Sequence, residues 1–128
     1  MAGLAGAARA RDVPRLAAAM AADCRVELRT LLDGHEQITL LTGAEYVEQL
    51  TGGYAALRDL EEYDYRVTAQ HISLEHDPPA ATVVSEVTET MVFGGRRTAT
   101  ASEETARLER RDGRLRLVAV SSLTRARP

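Results

Sequence analysis

The sequence contains no lysine, asparagine or tryptophan, and it has a single cysteine, Cys24, among its 128 residues. All 16 basic residues are therefore arginines, a bias typical of a GC-rich coding origin. Because lysine is absent, Schiff-base chemistry is excluded. Because Cys24 is alone, an intramolecular disulfide and a thiolate zinc cluster are also excluded, and we expect a reducing, cytoplasmic compartment.

Strong charge and long apolar runs are absent as well. The formal net charge is −3 and the isoelectric point is about 5.6, so we expect neither nucleic acid nor a membrane as partner. No apolar run approaches the roughly 18 residues that span a bilayer. Asp12 and Pro14 interrupt the alanine-rich start, which does not fit a targeting peptide. The length predicts one domain over 1–128.

The chain divides near residue 64 into a helical part and a strand part. Helices are predicted over 4–11 and 13–22, and two strands, 24–32 and 35–41, flank the turn dipeptide Asp33-Gly34. Thr42 followed by Glu45 is a capping-box signature that opens a third helix. Gly52-Gly53 within that helix predicts either a break or an unusually close packing contact.

Four longer strands follow, over 65–76, 81–93, 96–111 and 114–124, with turns at 77–80, Gly94-Gly95 and Asp112-Gly113. Their alternation changes phase within the third strand, after His71, and within the fifth, near 103–104. Such changes predict β-bulges, which bend a sheet. An α+β fold is therefore expected, with one helix across the concave side of a bent antiparallel sheet and a cavity at its open end.

Several segments resemble the nuclear transport factor 2-like superfamily, which includes SnoaL-like proteins and ketosteroid isomerases. The segments are 11–16, 22–28, 43–46 and 111–115. The resemblance implies a cystatin-like cone, in which N-terminal helices pack on a strongly bent, mostly antiparallel sheet of about six strands. It also implies a small-molecule pocket inside the cone and a homodimer formed through the outer face of the sheet. Members of the superfamily are catalytic, purely binding, or assembly modules.

The steroid-isomerase apparatus is not present as that branch builds it. The positions that match its base and its two oxyanion donors are Leu28, Leu4 and Ser102, and leucine neither accepts nor donates a proton. A register shift of one or two residues would bring Glu27 or Glu103 to these positions instead.

Glu89 is the first candidate catalytic residue. It shares a strand phase with apolar residues that include Val87 and Met91, which are candidate ligand contacts. If that phase faces inward, desolvation would raise the pKa of the Glu89 carboxyl and suit it to general acid or base catalysis. The alternative is a solvent-facing or arginine-paired carboxylate.

His71 is the second candidate catalytic residue, as a proton shuttle beside Glu89, and the alternative is a hydrogen-bonded core histidine. One of Glu103 and Glu104 is expected to turn inward at the suspected bulge, and Tyr54 on the helix is expected to point its hydroxyl into the pocket. The alternative for these three is an ordinary surface or packing role.

Other chemistries have little support in the sequence. His71 and His76 lie five residues apart on a strand and so point to opposite faces, and nothing completes a metal site. We expect no cofactor. The arginines of the last hairpin predict a solvated tip paired with Glu109 and Asp112. The leading hypothesis is a protein that binds a small, largely apolar molecule; the alternatives are a cofactor-free isomerase, cyclase or dehydratase, and a dimeric assembly module.

Overall fold

The computed structural model describes residues 13–56 and 60–127, and the predicted first helix, 4–11, lies outside them. Within these residues both helices precede residue 57, and the four longest strands follow them. In order they are α1 (Val13–Ala19), β1 (Met20–Leu32), β2 (His35–Thr42), α2 (Gly43–Ala56), β3 (Glu62–His76), β4 (Pro79–Phe93), β5 (Arg96–Arg111) and β6 (Arg114–Arg127).

All six strands join one curled sheet in the order β2-β1-β6-β5-β4-β3. Four of the strand pairs are antiparallel, whereas β1 and β6 run parallel. That parallel pair joins the N-terminal hairpin, β1 and β2, to the four-stranded meander, β3 to β6, in a single sheet. The expected α+β class and mostly antiparallel sheet are confirmed.

The tight turns form where glycine permits them. Asp33 and Gly34 have φ angles of 50° and 79°, and Asp112 and Gly113 have angles of 53° and 77°. Positive φ at both central residues matches the turn twist to the right-handed twist of the flanking strands. These two dipeptides therefore fix the registers of β1 with β2 and of β5 with β6.

Helix α2 begins with the predicted capping box. The Thr42 backbone N–H donates to Glu45 Oε1 at 2.9 Å, and the Glu45 N–H donates to Thr42 Oγ1 at 3.2 Å. The predicted break at Gly52-Gly53 is wrong, because α2 continues to Ala56. Close packing does not explain Gly52 either, since a Cβ atom there would meet nothing within 4 Å.

The bulges lie at other positions than the strand phases indicated. In β3 the register shifts between Val67 and Ala69, which leaves Thr68 as the extra residue, three positions before the predicted change. The pairing of β4 with β5 is regular from Ala80 to Phe93, so the bulge predicted in β5 is wrong. The register of β5 with β6 shifts instead where Arg107 and Leu108 pair with Ala119 and Leu117.

The core lies where the helices meet the first and last strands. Cys24, Val26 and Leu117 are each at most 2% exposed and form one cluster. Leu16 of α1 and Tyr46 of α2 pack against it. We call the side of the sheet that carries this cluster the inner face, and the opposite side the outer face.

Candidate functional site

The register of β4 and β5 places Glu89 on the inner face. Val83 pairs with Ala106, and Ala106 packs against the core cluster. Since side chains alternate along a strand, Val87, Glu89 and Met91 share the face of Val83. Val83 and Val87 are buried and Glu89 is half-buried, so its carboxylate has apolar neighbours on its own strand.

Glu104 lies on the inner face too, whereas Glu103 does not. Glu104 pairs with Ser85 of β4 and is half-buried, at an even-numbered position like Ala106. Glu103 is exposed on the outer face, opposite Glu86. The expectation that Glu103 contributes to the cavity is therefore not met, because β5 has no bulge to turn it inward.

Two tyrosines of β3 contact the two carboxyls. Tyr63 and Tyr65 are half-buried and occupy alternate positions, so both face inward. The Tyr63 hydroxyl donates to Glu89 Oε2 at 2.8 Å. Tyr65 is hydrogen-bonded to Glu104. Each carboxyl thus has a phenol partner on the edge strand.

Burial raises the pKa of the Glu104 carboxyl above its ordinary value, and the nearby charge of Glu89 raises it further. The hydrogen bond from Tyr65 acts in the opposite direction, because it stabilises the carboxylate. The net direction is upward, so Glu104 keeps its proton to a higher pH than an exposed glutamate does.

Further polar side chains extend this arrangement across the inner face. Gln70 Nε2 donates to Ser85 Oγ at 3.1 Å, and the hydroxyls of Ser102 and Thr124 lie 2.9 Å apart. Ion pairs among the described residues include neither Glu89 nor Glu104. The polar side chains named here, all from the described residues, are neutral and can donate and accept hydrogen bonds.

His71 does not join this cluster. It pairs with Val84 of β4, which faces the opposite way from Val83, and it is exposed on the outer face. The prediction of a shared cavity for His71 and Glu89 is wrong because the bulge at Thr68 precedes His71 and reverses its side. The side chain of Tyr54 lies outside the described part of the chain.

The sequence analysis missed the two tyrosines. The predicted third strand began at residue 65, but β3 begins at Glu62. Tyr63, Tyr65 and Val67 alternate along this first part of the strand, and that period of two was the available signal.

The outer face holds a groove of about 750 Å³ over β2, β1, β6, β5 and β4. Outer-face residues line most of it, and Leu40, at 72% exposed, is the largest exposed apolar side chain among them. Others are Arg25, Glu27, Thr82, Thr105, Arg107 and Ser121. This groove lies on the opposite side of the sheet from Glu89 and Glu104.

The arginines of the β5–β6 hairpin are paired as expected with Glu109, whereas the ion pairs of the described residues do not include Asp112. Arg107 Nε donates to Glu109 Oε2 at 2.8 Å, and an Arg111 N–H donates to Glu109 Oε1 at 2.9 Å. These hydrogen bonds lower the pKa of the Glu109 carboxyl. In residues 13–56 and 60–127 no three histidine, cysteine, aspartate or glutamate side chains are grouped as a metal would require. Over the same residues neither helix has the length and apolar character needed to cross a bilayer.

Comparison with known proteins gives similarity in structure alone. No family model matches the sequence, and no curated protein matches it. Among solved structures, the hexachlorocyclohexane dehydrochlorinase LinA-type3 from Novosphingobium barchaimii LL02 has a TM-score of 0.65 at 17% identity, over 94% of this chain and 78% of that one.

Two further structures are similar over comparable lengths. An NTF2-like protein from Cytophaga hutchinsonii has a TM-score of 0.65 at 14% identity, over 94% of this chain and 88% of that one. An NTF2-like protein with a cystatin-like fold from Novosphingobium aromaticivorans has a TM-score of 0.65 at 15% identity, over 92% and 72% of the two chains. At such identities the likeness concerns the fold.

Proposed function

We propose that this chain, which has the nuclear transport factor 2-like, cystatin-like fold, binds a small, largely apolar molecule against the inner face of its sheet. The observation that carries the proposal is the pair of carboxyls, Glu89 and Glu104, each hydrogen-bonded to a tyrosine on the face that also carries the buried Val83 and Val87. Small-molecule sites commonly combine apolar walls with a few polar groups that fix orientation. Val87 and Met91 would supply apolar contact, and the carboxyls would supply the polar contacts.

A structural neighbour supports this class of ligand. The neighbour from Novosphingobium barchaimii is a dehydrochlorinase of hexachlorocyclohexane, itself a small molecule without charge. The similarity brings to this chain a fold able to hold such a molecule. We propose that residues 1–128 form the single domain that does so, in a reducing cytoplasm where Cys24 stays a thiol.

A second candidate function is cofactor-free proton transfer, as in an isomerase, cyclase or dehydratase. The raised pKa of Glu104 favours it, since a carboxyl that keeps its proton to a higher pH can serve as a general acid toward a ligand. His71 has no part in this mechanism, because it lies on the outer face.

A thermal-shift screen tests the binding proposal. Aromatic, terpenoid and polyketide-like compounds are added one at a time. A ligand that binds only the folded state adds about 2.7 kcal/mol to the free energy of unfolding when its concentration is about 100 times its dissociation constant. We expect at least one compound to raise Tm by several degrees. The rise should shrink in Glu104→Gln and persist in Glu103→Gln, whose side chain lies on the outer face. Equal rises in both variants would place the compound elsewhere.

We further propose that the chain forms a homodimer through its outer face. The groove there carries charges of both signs, and Arg25 among them has no ion pair with another described residue, so a second copy can place a carboxylate against it. Leu40 and Ile38 are 72% and 50% exposed and would be covered. Through the same surface the chain could act as a dimeric assembly module, which is the third candidate function.

Light scattering at micromolar concentration should give the mass of two chains. Leu40→Asp should halve that mass, because a charge would be buried in the interface. Leu74→Asp, at a leucine that is 65% exposed on the inner side of β3, should leave it unchanged. A wild-type mass of one chain would rule the homodimer out.

A further inference from the structure

We propose that β3 carries a second self-association surface, on which another copy of this chain adds its own β3 in antiparallel orientation about a twofold axis through Ser73. The surface is the side of residues 69–76 that faces away from β4, and we call it the free edge. The proposal goes beyond the proposed function, because it requires neither a ligand on the inner face nor the homodimer through the outer face.

Strand β3 ends the sheet on one side. In the order β2-β1-β6-β5-β4-β3 it pairs with β4, and no other strand of residues 13–56 and 60–127 pairs with it. Every residue from Thr68 to His76 is exposed. Alternate N–H and C=O groups of an edge strand point outward, and such a row of groups is a template for another strand. The free edge therefore offers backbone hydrogen bonds along its length.

Two apolar side chains of the free edge remain in solvent on the inner face. Ile72 is 47% exposed and Leu74 is 65% exposed, although their partners on β4, Val83 and Ala81, are buried. When a second β3 pairs about Ser73, each Ile72 lies directly opposite the Leu74 of the other copy. Side chains opposite each other across antiparallel strands are in contact, so the pairing covers both apolar groups twice.

The outer face of the free edge is complementary to itself in hydrogen bonding. His71 and Glu75 are exposed and both face outward, opposite Val84 and Ala80 of β4. About the axis through Ser73, His71 lies opposite the Glu75 of the other copy, so an imidazole N–H can donate to the carboxylate. Glu75 accepts from an Arg107 N–H through Oε2 at 3.1 Å, and a carboxylate can accept further hydrogen bonds.

Neighbouring registers lack this double match. If the axis passed through Ile72, His71 would lie opposite Ser73. If it passed through Leu74, Glu75 would lie opposite Ser73. Both shifts separate the imidazole from the carboxylate, and both break the pair of Ile72 with Leu74. The side chains therefore select the axis at Ser73.

Strand β2, at the other edge of the sheet, does not have this pattern. Its histidine and its glutamate, His35 and Glu36, are adjacent in sequence, so they face opposite sides of the strand. Glu36 also forms an ion pair with Arg29 of β1 at 3.5 Å. Two copies of β2 therefore cannot bring an imidazole and a free carboxylate together.

The free edge is short for an interface. Stable interfaces use about 20–30 residues from each partner, many more than the free edge provides. We therefore expect the pairing above micromolar concentration. At micromolar concentration light scattering should report the outer-face homodimer alone.

Cysteine cross-linking of concentrated protein tests the position of the axis. Opposite residues of antiparallel strands have Cα atoms about 4.5–5.5 Å apart, which suits a disulfide. With oxidised glutathione, Ser73→Cys should give a disulfide-linked species of two-chain mass on a non-reducing gel. Ala69→Cys is the control, on the same face of the same strand; its copies would lie about 26 Å apart, so it should stay unlinked. Cys24 is 2% exposed and should not react.

Both cysteine variants are also made together with Leu40→Asp, so that the outer-face homodimer cannot supply the contact. Cross-linking of Ser73→Cys should persist there. No linked species in Ser73→Cys, or equal linking in Ala69→Cys, would overturn the proposal. A wild-type mass of one chain at micromolar concentration would rule out the outer-face homodimer and leave the cross-linking test valid.

Sedimentation equilibrium measures the same pairing without an added cysteine. For Leu40→Asp the mass should rise from one chain toward two between micromolar and millimolar concentration. Adding Ser73→Glu should abolish the rise, because two carboxylates would meet at the axis. Adding Ser73→Thr, which brings no charge, should keep it. An undiminished rise in the Ser73→Glu protein would contradict the proposed axis.

Discussion

Replacing Leu117 with alanine should lower the free energy of unfolding by about 3 kcal/mol, the middle of the range for a buried leucine. Leu117 is 1% exposed and belongs to the cluster that joins β1 and β6 to both helices. Its side chain has close neighbours that cannot collapse into the space it leaves, because they are held by the parallel pair of strands. Urea unfolding followed by circular dichroism measures the loss of free energy. Thermal unfolding should show a Tm about 10 °C lower.

Leu115→Ala is the matched control for this experiment. Leu115 lies two residues earlier on β6 but is 51% exposed. Its removal should cost less than about 1 kcal/mol, as for substitutions at partly exposed positions. If both leucines cost the same, the core would not be centred where β1 and β6 meet.

Glu104→Gln should make the protein more stable at neutral and alkaline pH, by the order of 1 kcal/mol. Burial and the charge of Glu89 raise the pKa of Glu104 in the folded state, so folding favours the protonated carboxyl. That stabilisation is complete below the pKa of the unfolded chain and is lost as pH rises through the higher folded value. Glutamine has no proton to lose, so the variant should escape this loss.

The measurement is the free energy of unfolding of both proteins from pH 4 to pH 9, and the difference should be absent at pH 4 and appear at neutral and alkaline pH. Glu103→Gln removes the same charge from the adjacent, exposed position and should leave the pH dependence close to that of the wild type. A Glu104→Gln variant less stable than the wild type at pH 8 would contradict the raised pKa. It would mean that the carboxylate of Glu104 is stabilised by the fold.

Much of the local structure followed from the sequence because local forces determine it. Asp33-Gly34 and Asp112-Gly113 form turns because few other residues adopt positive φ at both positions. The capping box of Thr42 and Glu45 forms because the first N–H groups of a helix need acceptors. The change of period near residue 64 predicted helices followed by strands, and β3 indeed begins at Glu62.

Only part of the location of the candidate site could be predicted from the sequence. The alternation of Val87, Glu89 and Met91 put these residues on one face, and the apolar side chains suggested which face was inward. The prediction for His71 was wrong because it placed the bulge of β3 after His71, whereas the register shifts at Thr68. A bulge can fall at any of several positions in a strand without changing its composition, and each choice reverses all side chains beyond it.

The sequence by itself determined the turns, the helix start and the α+β order, since each depends on residues close together in the chain. Only the tertiary structure decided that Glu104 rather than Glu103 faces inward, that His71 faces outward, and that Tyr63 and Tyr65 meet the two carboxyls. These outcomes depend on the register between strands and on the bulge at Thr68, which are fixed by packing across the whole sheet.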